Sequence, residues 1–541
     1  MTKTMFPQFT AVILAGGSGG RLYPLTVESD AALAHSLAKP LLPVANHPLL
    51  WYQLRLLEKA GFGHALIITV RRFEERITHF IDAFARERAA AAAATRAPPP
   101  HRFEPELFIL EDHCGTAEAL RRAREQIKTD FVVISGDLIT ESVLHQLADI
   151  HRIRDATLTM LLKSDATAEN ATDDADKKDV LVKKMRQKKE GNVVEFVGLV
   201  EGESRVVLVK EGALDVEDTL HLPKSPLLRR RPSISVHTDL VDAHLYFFGH
   251  WILELLQEKR QFSSIKADLV PYLVRHQFRA HSAASSPAAG GAEGDRRLHS
   301  RAMSGGTLTG DGADAKTLSL AASLSAVRAS KGNAWPRPGT FPGTVDDDGR
   351  VPCGASDGKL LGVGQDHGAL RCFSVVLPSG ELPDGTRGYC CRANTIAAYL
   401  GANLDLIATS NASIYFAATD GAEGAMCMNQ SAKAQQAPSS TRQYRDCAVA
   451  DGCGIDATVS LKRSVVGPRC RIGARAKLQN CVLMDNVTVG ECCVIQNSIL
   501  CSNAKVEDRC NLNECQVGVD VTVFSGSKHK SETLVKAPTY I

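Results

Sequence analysis

No apolar run in this sequence approaches the roughly 20 residues needed to span a bilayer as a helix. The first residues, "MTKTMFPQFTAVILAGG", lack the charged segment, apolar segment and cleavage site of a secretory signal. There is no excess of charge: 63 Lys and Arg stand against 61 Asp and Glu, a net of +2. That balance argues against a nucleic-acid binder working by bulk charge. The 15 cysteines include no C-x-x-C pair. With no export signal, they are expected to be reduced thiols in a cytosolic protein.

What is present divides unevenly over 541 residues. Length alone suggests roughly two to four domains, but three Ala-, Ser- or Gly-rich stretches are poor core material and lower that count. The first 160 residues alternate strands and helices. "AVILA", "HALIITV", "LFIL" and "FVVISGD" read as strands, and "PLLWYQLRLLEKAGF" and "TAEALRRAREQI" as helices. The alternation resumes with "VDAHLYFFGHWILELL", the helix "SIKADLVPYLVRHQF", the strand "LRCFSVVLPSG" and the helix "NTIAAYLGANLDLI". Such alternation predicts an α/β domain with a mostly parallel sheet. We expect it over 1–410, with insertions near 86–100, 164–192 and 280–349. The last of these is dominated by Ala, Ser, Gly and Asp and reads as disordered. A linker is expected over 411–441.

The last hundred residues follow another rule. Ile455, Ile472, Val489, Val506 and Val523 recur every 17 positions. Leu461, Leu478, Ile495 and Leu512 do the same, as do Val466, Leu483, Leu500 and Val517. Three apolar positions per turn, each stacked on its equivalent one turn later, describe a triangular β-helix over 442–541. Cys453 and Cys470 are also 17 apart, as are Cys493 and Cys510, so these thiols are expected to stack as small hydrophobes rather than bind metal.

The chemistry-bearing stretch is "LAGGSGGRLYPLT", a strand running into a glycine turn. Backbone N–H groups of Gly16, Gly17 and Gly19 could take phosphate oxygens, because no Cβ blocks the approach. Arg21 could neutralise a polyphosphate, and Lys39 could reach it from the following loop. Followed by "KPLLPVANHPLLWY", this combination resembles the nucleotidyltransferase fold of nucleoside-diphosphate-sugar pyrophosphorylases. The resemblance implies a Rossmann-like domain that joins a nucleoside triphosphate to a sugar 1-phosphate, often followed by a left-handed parallel β-helix. It also implies that Gly136 and Asp137 in "FVVISGDLIT" supply a metal ligand, and that Gly115 in "CGTAEALRRA" borders the base.

In that family a second metal-binding aspartate opens a motif whose counterpart here is "RANTIAAYLGAN". Tyr399, Leu400, Ala402 and Asn403 fit the motif; the aspartate is replaced by Arg392. A guanidinium cannot ligate magnesium and repels it. Arg392 is left to pair with Asp137 or to take a phosphate directly. Twelve residues, Val27 to Ala38, separate Thr26 from Lys39, more than the family has, which weakens Lys39 as a phosphate ligand. The expectation is therefore no catalytic residue, no metal and no cofactor, with a bound nucleotide that is not turned over. Asp242 and His244 in "LVDAHLYF" are expected at a strand end near the old sugar pocket.

A nucleotidyltransferase-like domain with a lost metal site plus a β-helix resembles the gamma and epsilon subunits of eukaryotic translation initiation factor 2B. "VISGDLITESVLH", "HTDLVDAHLYFFGHWILELL" and "NCVLMDNVTV" resemble the gamma type, and no helical-repeat domain like that of epsilon is expected in the short stretch after Val523. The resemblance implies a cytosolic subunit of the complex that exchanges GDP for GTP on translation initiation factor 2. Its implied partners are epsilon, the other subunits and that G protein, with no membrane and no direct nucleic acid. Two other readings stay open: an active sugar-nucleotide pyrophosphorylase, such as a mannose-1-phosphate guanylyltransferase, and a pure scaffold that binds no nucleotide.

Overall fold

The computed structural model describes residues 9–17, 19–26, 37–95, 103–111, 113–141, 144–164, 195–202, 204–211, 233–277, 370–377, 388–408, 427–428 and 443–536. The expected 280–349 insertion, and nearly all of that at 164–192, lie outside them.

In chain order the N-terminal part runs β1 (Phe9–Leu14), α1 (Leu49–Lys59), β2 (His64–Val70), α2 (Glu74–Thr95), β3 (Glu104–Leu110), α3 (Thr116–Arg122), β4 (Asp130–Ser135) and β5 (Leu138–Thr140). It continues with α4 (Leu144–Ile153), β6 (Leu158–Ser164), β7 (Glu195–Val200), β8 (Val206–Glu211), β9 (Ile234–His237), β10 (Leu240–Phe248), α5 (Ile252–Glu258) and α6 (Val270–His276). After the large undescribed stretch come β11 (Cys372–Leu377), β12 (Cys390–Arg392) and α7 (Ile396–Ile407).

Seven strands form the main sheet in the order β11-β6-β10-β4-β1-β2-β3. The pairs β4-β1, β1-β2, β2-β3 and β11-β6 are parallel, and only β10 runs antiparallel to its neighbours. Strands such as Ala11–Ile13 and Phe131–Ile134 are wholly buried, because helices cover both faces. The β1-to-α1 connection and the ends of β4 and β12 therefore meet at one end of the sheet. Arg392 pairs in register with Leu138 of β5, beside Asp137.

Two helices differ from the expected pattern. "TAEALRRAREQI" stops as an α-helix at Arg122 and ends in a 3-10 turn, Arg124–Gln126. "SIKADLVPYLVRHQF" begins with a wider π turn, Ile265–Leu269, before α6. Pro271 has no N–H for the Ala267 carbonyl and its ring crowds that group, so the first turn opens.

Residues 443–534 coil into three parallel sheets that form a triangular prism. Ile455↔Ile472↔Val489↔Val506↔Val523 stack in register on one face. Leu461↔Leu478↔Ile495↔Leu512 and Val466↔Leu483↔Leu500↔Val517 stack on the other two. The corners also keep the 17-residue period. Asn480 and Asn497 share one corner column, Asn486 and Asn503 another, and all four have φ between 47° and 61°. Asparagine tolerates this left-handed backbone, and its side chains bond from coil to coil: Asn480 to Asn497 at 3.0 Å and Asn486 to Asn503 at 2.8 Å.

Another 17-residue column, Val465, Val482 and Ile499, points outward. These residues are buried because they share a core with the N-terminal sheet domain. In later coils the same column holds Gln516 and Thr533, with Thr533 exposed, so the apolar stripe ends at the edge of this contact. Asn46 adds a bond from its Nδ2 to the Val466 carbonyl, 3.1 Å.

Candidate functional site

β4 ends at Ser135, and the turn that follows carries Asp137 into a pocket between β1, β2 and β12. The Asp137 side chain is 2% exposed. Lys39 Nζ donates to its Oδ2 at 2.6 Å, and Arg392 grips both oxygens, Nε to Oδ1 at 3.2 Å and Nη2 to Oδ2 at 3.1 Å. Ser135 Oγ donates to Oδ1 at 2.7 Å. Burial would raise the carboxyl pKa, but the Arg392 and Lys39 charges outweigh it and hold it well below the usual carboxylate range. Burial likewise opposes the Arg392 charge, and Asp137 more than compensates.

A cavity of about 250 Å³ opens beside this cluster, lined among others by Gly16, Gly17, Lys39, Asp137, His244 and Arg392. A Cβ at Gly17 would meet nothing within 4 Å, so packing does not demand a glycine there. Its missing side chain leaves backbone open to the cavity. His244 sits on β10 where the pairing with β6 shifts register, with φ 56°. Its Nε2 is buried without a hydrogen-bond partner, and burial followed by the Arg392 charge pushes the imidazole pKa well below its ordinary value. Among the described residues the cavity is thus lined by a neutral imidazole and by one more positive charge than negative. That chemistry suits an anion.

It does not suit magnesium. Among the described residues Asp137 is the only carboxylate lining the cavity; both its oxygens are engaged, and a guanidinium lies against it. Among the described residues no three His, Cys, Asp or Glu side chains gather as a metal site. The expected pairing of Arg392 with Asp137 is present, and the long connection before Lys39 does not keep that lysine from the site.

Three expected residues stand elsewhere. Arg21 is exposed on the short turn Gly20–Leu22 and, like Gly19, does not line the cavity. Gly19 instead takes φ 78° and accepts a bond on its carbonyl from Thr26 Oγ1, 2.7 Å. Gly115 caps α3, and a Cβ there would lie 2.2 Å from the Ser263 carbonyl oxygen. Its smallness serves helix packing, while its neighbours Cys114 and Thr116 line the cavity. Ser135 was missed by sequence reasoning; its position two residues before Asp137 on a strand end was the available signal.

Behind the cavity, Asp242 accepts from Tyr246 Oη and from the His244 N–H, 2.8 Å. Its own N–H donates to Glu195, which pairs with Lys266. Burial pushes the Asp242 carboxyl up to about 6, although the Tyr246 bond opposes the rise. Between about pH 4 and 6 the folded state alone holds this proton, so the group's contribution to stability falls as pH rises through that window. Asp242→Asn has no proton to lose. Relative to the parent protein it should gain up to about 3 kcal/mol between pH 4 and 7. Urea unfolding at the two pH values measures this, and parallel pH profiles would contradict the assignment.

Two family models match the chain. One, described as "Nucleotidyl transferase", covers residues 10–171. The other, described as "EIF2B subunit epsilon LbH domain", covers 429–528. A Dictyostelium discoideum protein named translation initiation factor eIF2B subunit gamma is 33% identical over 296 residues, 51% of this chain and 59% of its own length. Its Schizosaccharomyces pombe namesake is 34% identical over 272 residues, 50% and 52% of the two chains. Over about half its length this chain is similar to proteins named eIF2B subunit gamma. The matched part spans little more than half the length of those gamma subunits. A mannose-1-phosphate guanyltransferase of Candida albicans is also similar, at 28% over 153 residues, 28% of this chain and 36% of that one. The chain thus carries a nucleotidyltransferase domain and, in its parallel coil, a left-handed β-helix domain.

Proposed function

We propose that this chain is a non-catalytic gamma-type subunit of a cytosolic complex that exchanges GDP for GTP on translation initiation factor 2. In this reading it holds an epsilon-type subunit and helps to dock the G protein, and its cavity binds a nucleotide without turning it over. The domain division at a linker over 411–441 belongs to the same reading. One observation carries it: Arg392 and Lys39 occupy the Asp137 carboxylate that a nucleotidyltransferase needs for its metal. The gamma-named relatives support the assignment to that complex.

A second reading, an active sugar-nucleotide pyrophosphorylase, is favoured by the similarity to guanylyltransferases and by the open cavity beside Gly17. Affinity purification of the tagged full chain from its own cells separates the two. Recovery of an epsilon-type subunit with three further related initiation-factor subunits is expected. Recovery of the chain with itself alone would favour the enzyme.

A further inference from the structure

Cys453 and Cys470 occupy equivalent places on successive coils, each immediately before a short strand, with Gly454↔Arg471 and Ile455↔Ile472 in register beside them. Neighbouring parallel strands lie about 4.8 Å apart, within the backbone separation a disulfide tolerates. Cys470 is buried, whereas Cys453 is half-buried and reachable from solvent. Cys453 Sγ lies 3.1 Å from the Gly467 carbonyl oxygen, and Cys470 Sγ donates to the Met484 carbonyl at 3.0 Å. The neighbouring Cys470 thiol and the Cys470 and Arg469 N–H groups draw the Cys453 pKa down to about 7 against burial and the nearby Asp451. The Cys453 sulfur and burial push the Cys470 thiol up.

The other solenoid thiols differ. Cys481 and Cys501 are fully buried, and burial pushes each up to about 12. Cys493 and Cys510 stack but are both buried. Cys492 is half-buried, but Arg475 and Arg509 hold the equivalent places on the adjoining coils, so no thiol is stacked on it.

We propose that Cys453 and Cys470 form a peroxide-reactive pair, Cys453 the attacking sulfur and Cys470 the resolving one. The Cys453 thiolate attacks one peroxide oxygen, the O–O bond breaks, and the leaving hydroxide takes a proton to become water. The resulting sulfenic acid is attacked by the Cys470 sulfur as its thiol proton leaves. The S–O bond breaks, a second water departs, and an S–S bond joins the two coils. Two thiols are oxidised and one peroxide is reduced to two waters. Partial exposure of Cys453 and an adjacent resolving thiol on the next coil together set this pair apart.

The test treats the full chain with a small excess of hydrogen peroxide and maps its cysteines without reduction. A protease that spares arginine is needed, since Cys470 lies between Arg469 and Arg471, and fragmentation must separate Cys453 from Cys447. The expected first product is a Cys453–Cys470 cross-link, reversed by dithiothreitol. Cys470→Ala should replace it with a sulfenic acid at Cys453 that dimedone traps, and Cys453→Ala should leave Cys470 unmodified. First oxidation at Cys492 or any other cysteine, or a cross-link joining Cys453 to a different partner, would overturn the proposal. The wild-type map decides the matter even if a variant folds poorly.

Discussion

Lysine at Val489 should unfold the β-helix, while lysine at its neighbour Thr488 should be tolerated. Val489 is 2% exposed and stacks between Ile472 and Val506, whereas Thr488 points to solvent from the same two-residue strand. An ammonium among these aliphatic side chains costs several kcal/mol or must deprotonate. A coil in a solenoid is supported only by its neighbours, so damage at the middle coil should spread in both directions. Hydrogen exchange should then show lost protection across residues 454–523, with β1 and β4 of the main sheet still protected. Thermal melting gives the same comparison in bulk. Equal tolerance of the two lysines would refute the 17-residue register.

Asp137→Asn is expected to destabilise the N-terminal domain by about 3–5 kcal/mol, the usual cost of removing one partner from a buried ion pair. The change leaves Lys39 and Arg392 facing each other across a neutral amide. Arg392→Met should cost less, because Lys39 still neutralises the carboxylate, and adding it to Asp137→Asn should restore part of the loss. The pH dependence carries its own sign. The folded-state pKa of Asp137 is depressed, so its contribution is present above the ordinary carboxylate value and is lost only as pH falls toward the much lower folded value. Below about pH 4 the parent protein should therefore lose stability more steeply than Asp137→Asn. Denaturant melts from pH 2 to 7 measure both effects. An Asn variant as stable as the parent at pH 7 would mean that the ion pair is not formed in solution.

How much of this was legible in the sequence depended on where each side chain finds its partner. The inward columns of the β-helix could be counted directly, because Ile472 meets Val489 one coil later and both must be apolar. The outward column Val465, Val482 and Ile499 has the same period, but its partners lie in the sheet domain, and spacing alone cannot show which surface covers it. The pairing of Arg392 with Asp137, 255 positions apart, was reachable only through the family motif around each residue. The reach of Lys39 was not, since loop length before a residue does not give the path of the chain. Arg21, Gly19 and Gly115 were assigned by motif to phosphate or base, yet local packing explains the glycines: Gly19 closes on Thr26 and Gly115 lies against Ser263. His244 was expected near the pocket at a strand end; it lines the cavity from within β10 instead, because the register shift that turns it there depends on tertiary pairing.

Arg392 stands where catalysis would need a metal-binding carboxylate, and pyrophosphate release from the purified chain with each nucleoside triphosphate, a panel of sugar 1-phosphates and magnesium shows whether catalysis survives that replacement. No sustained release is expected with any pair, whether or not a nucleotide binds. Sustained turnover that disappears in Asp137→Ala would contradict it.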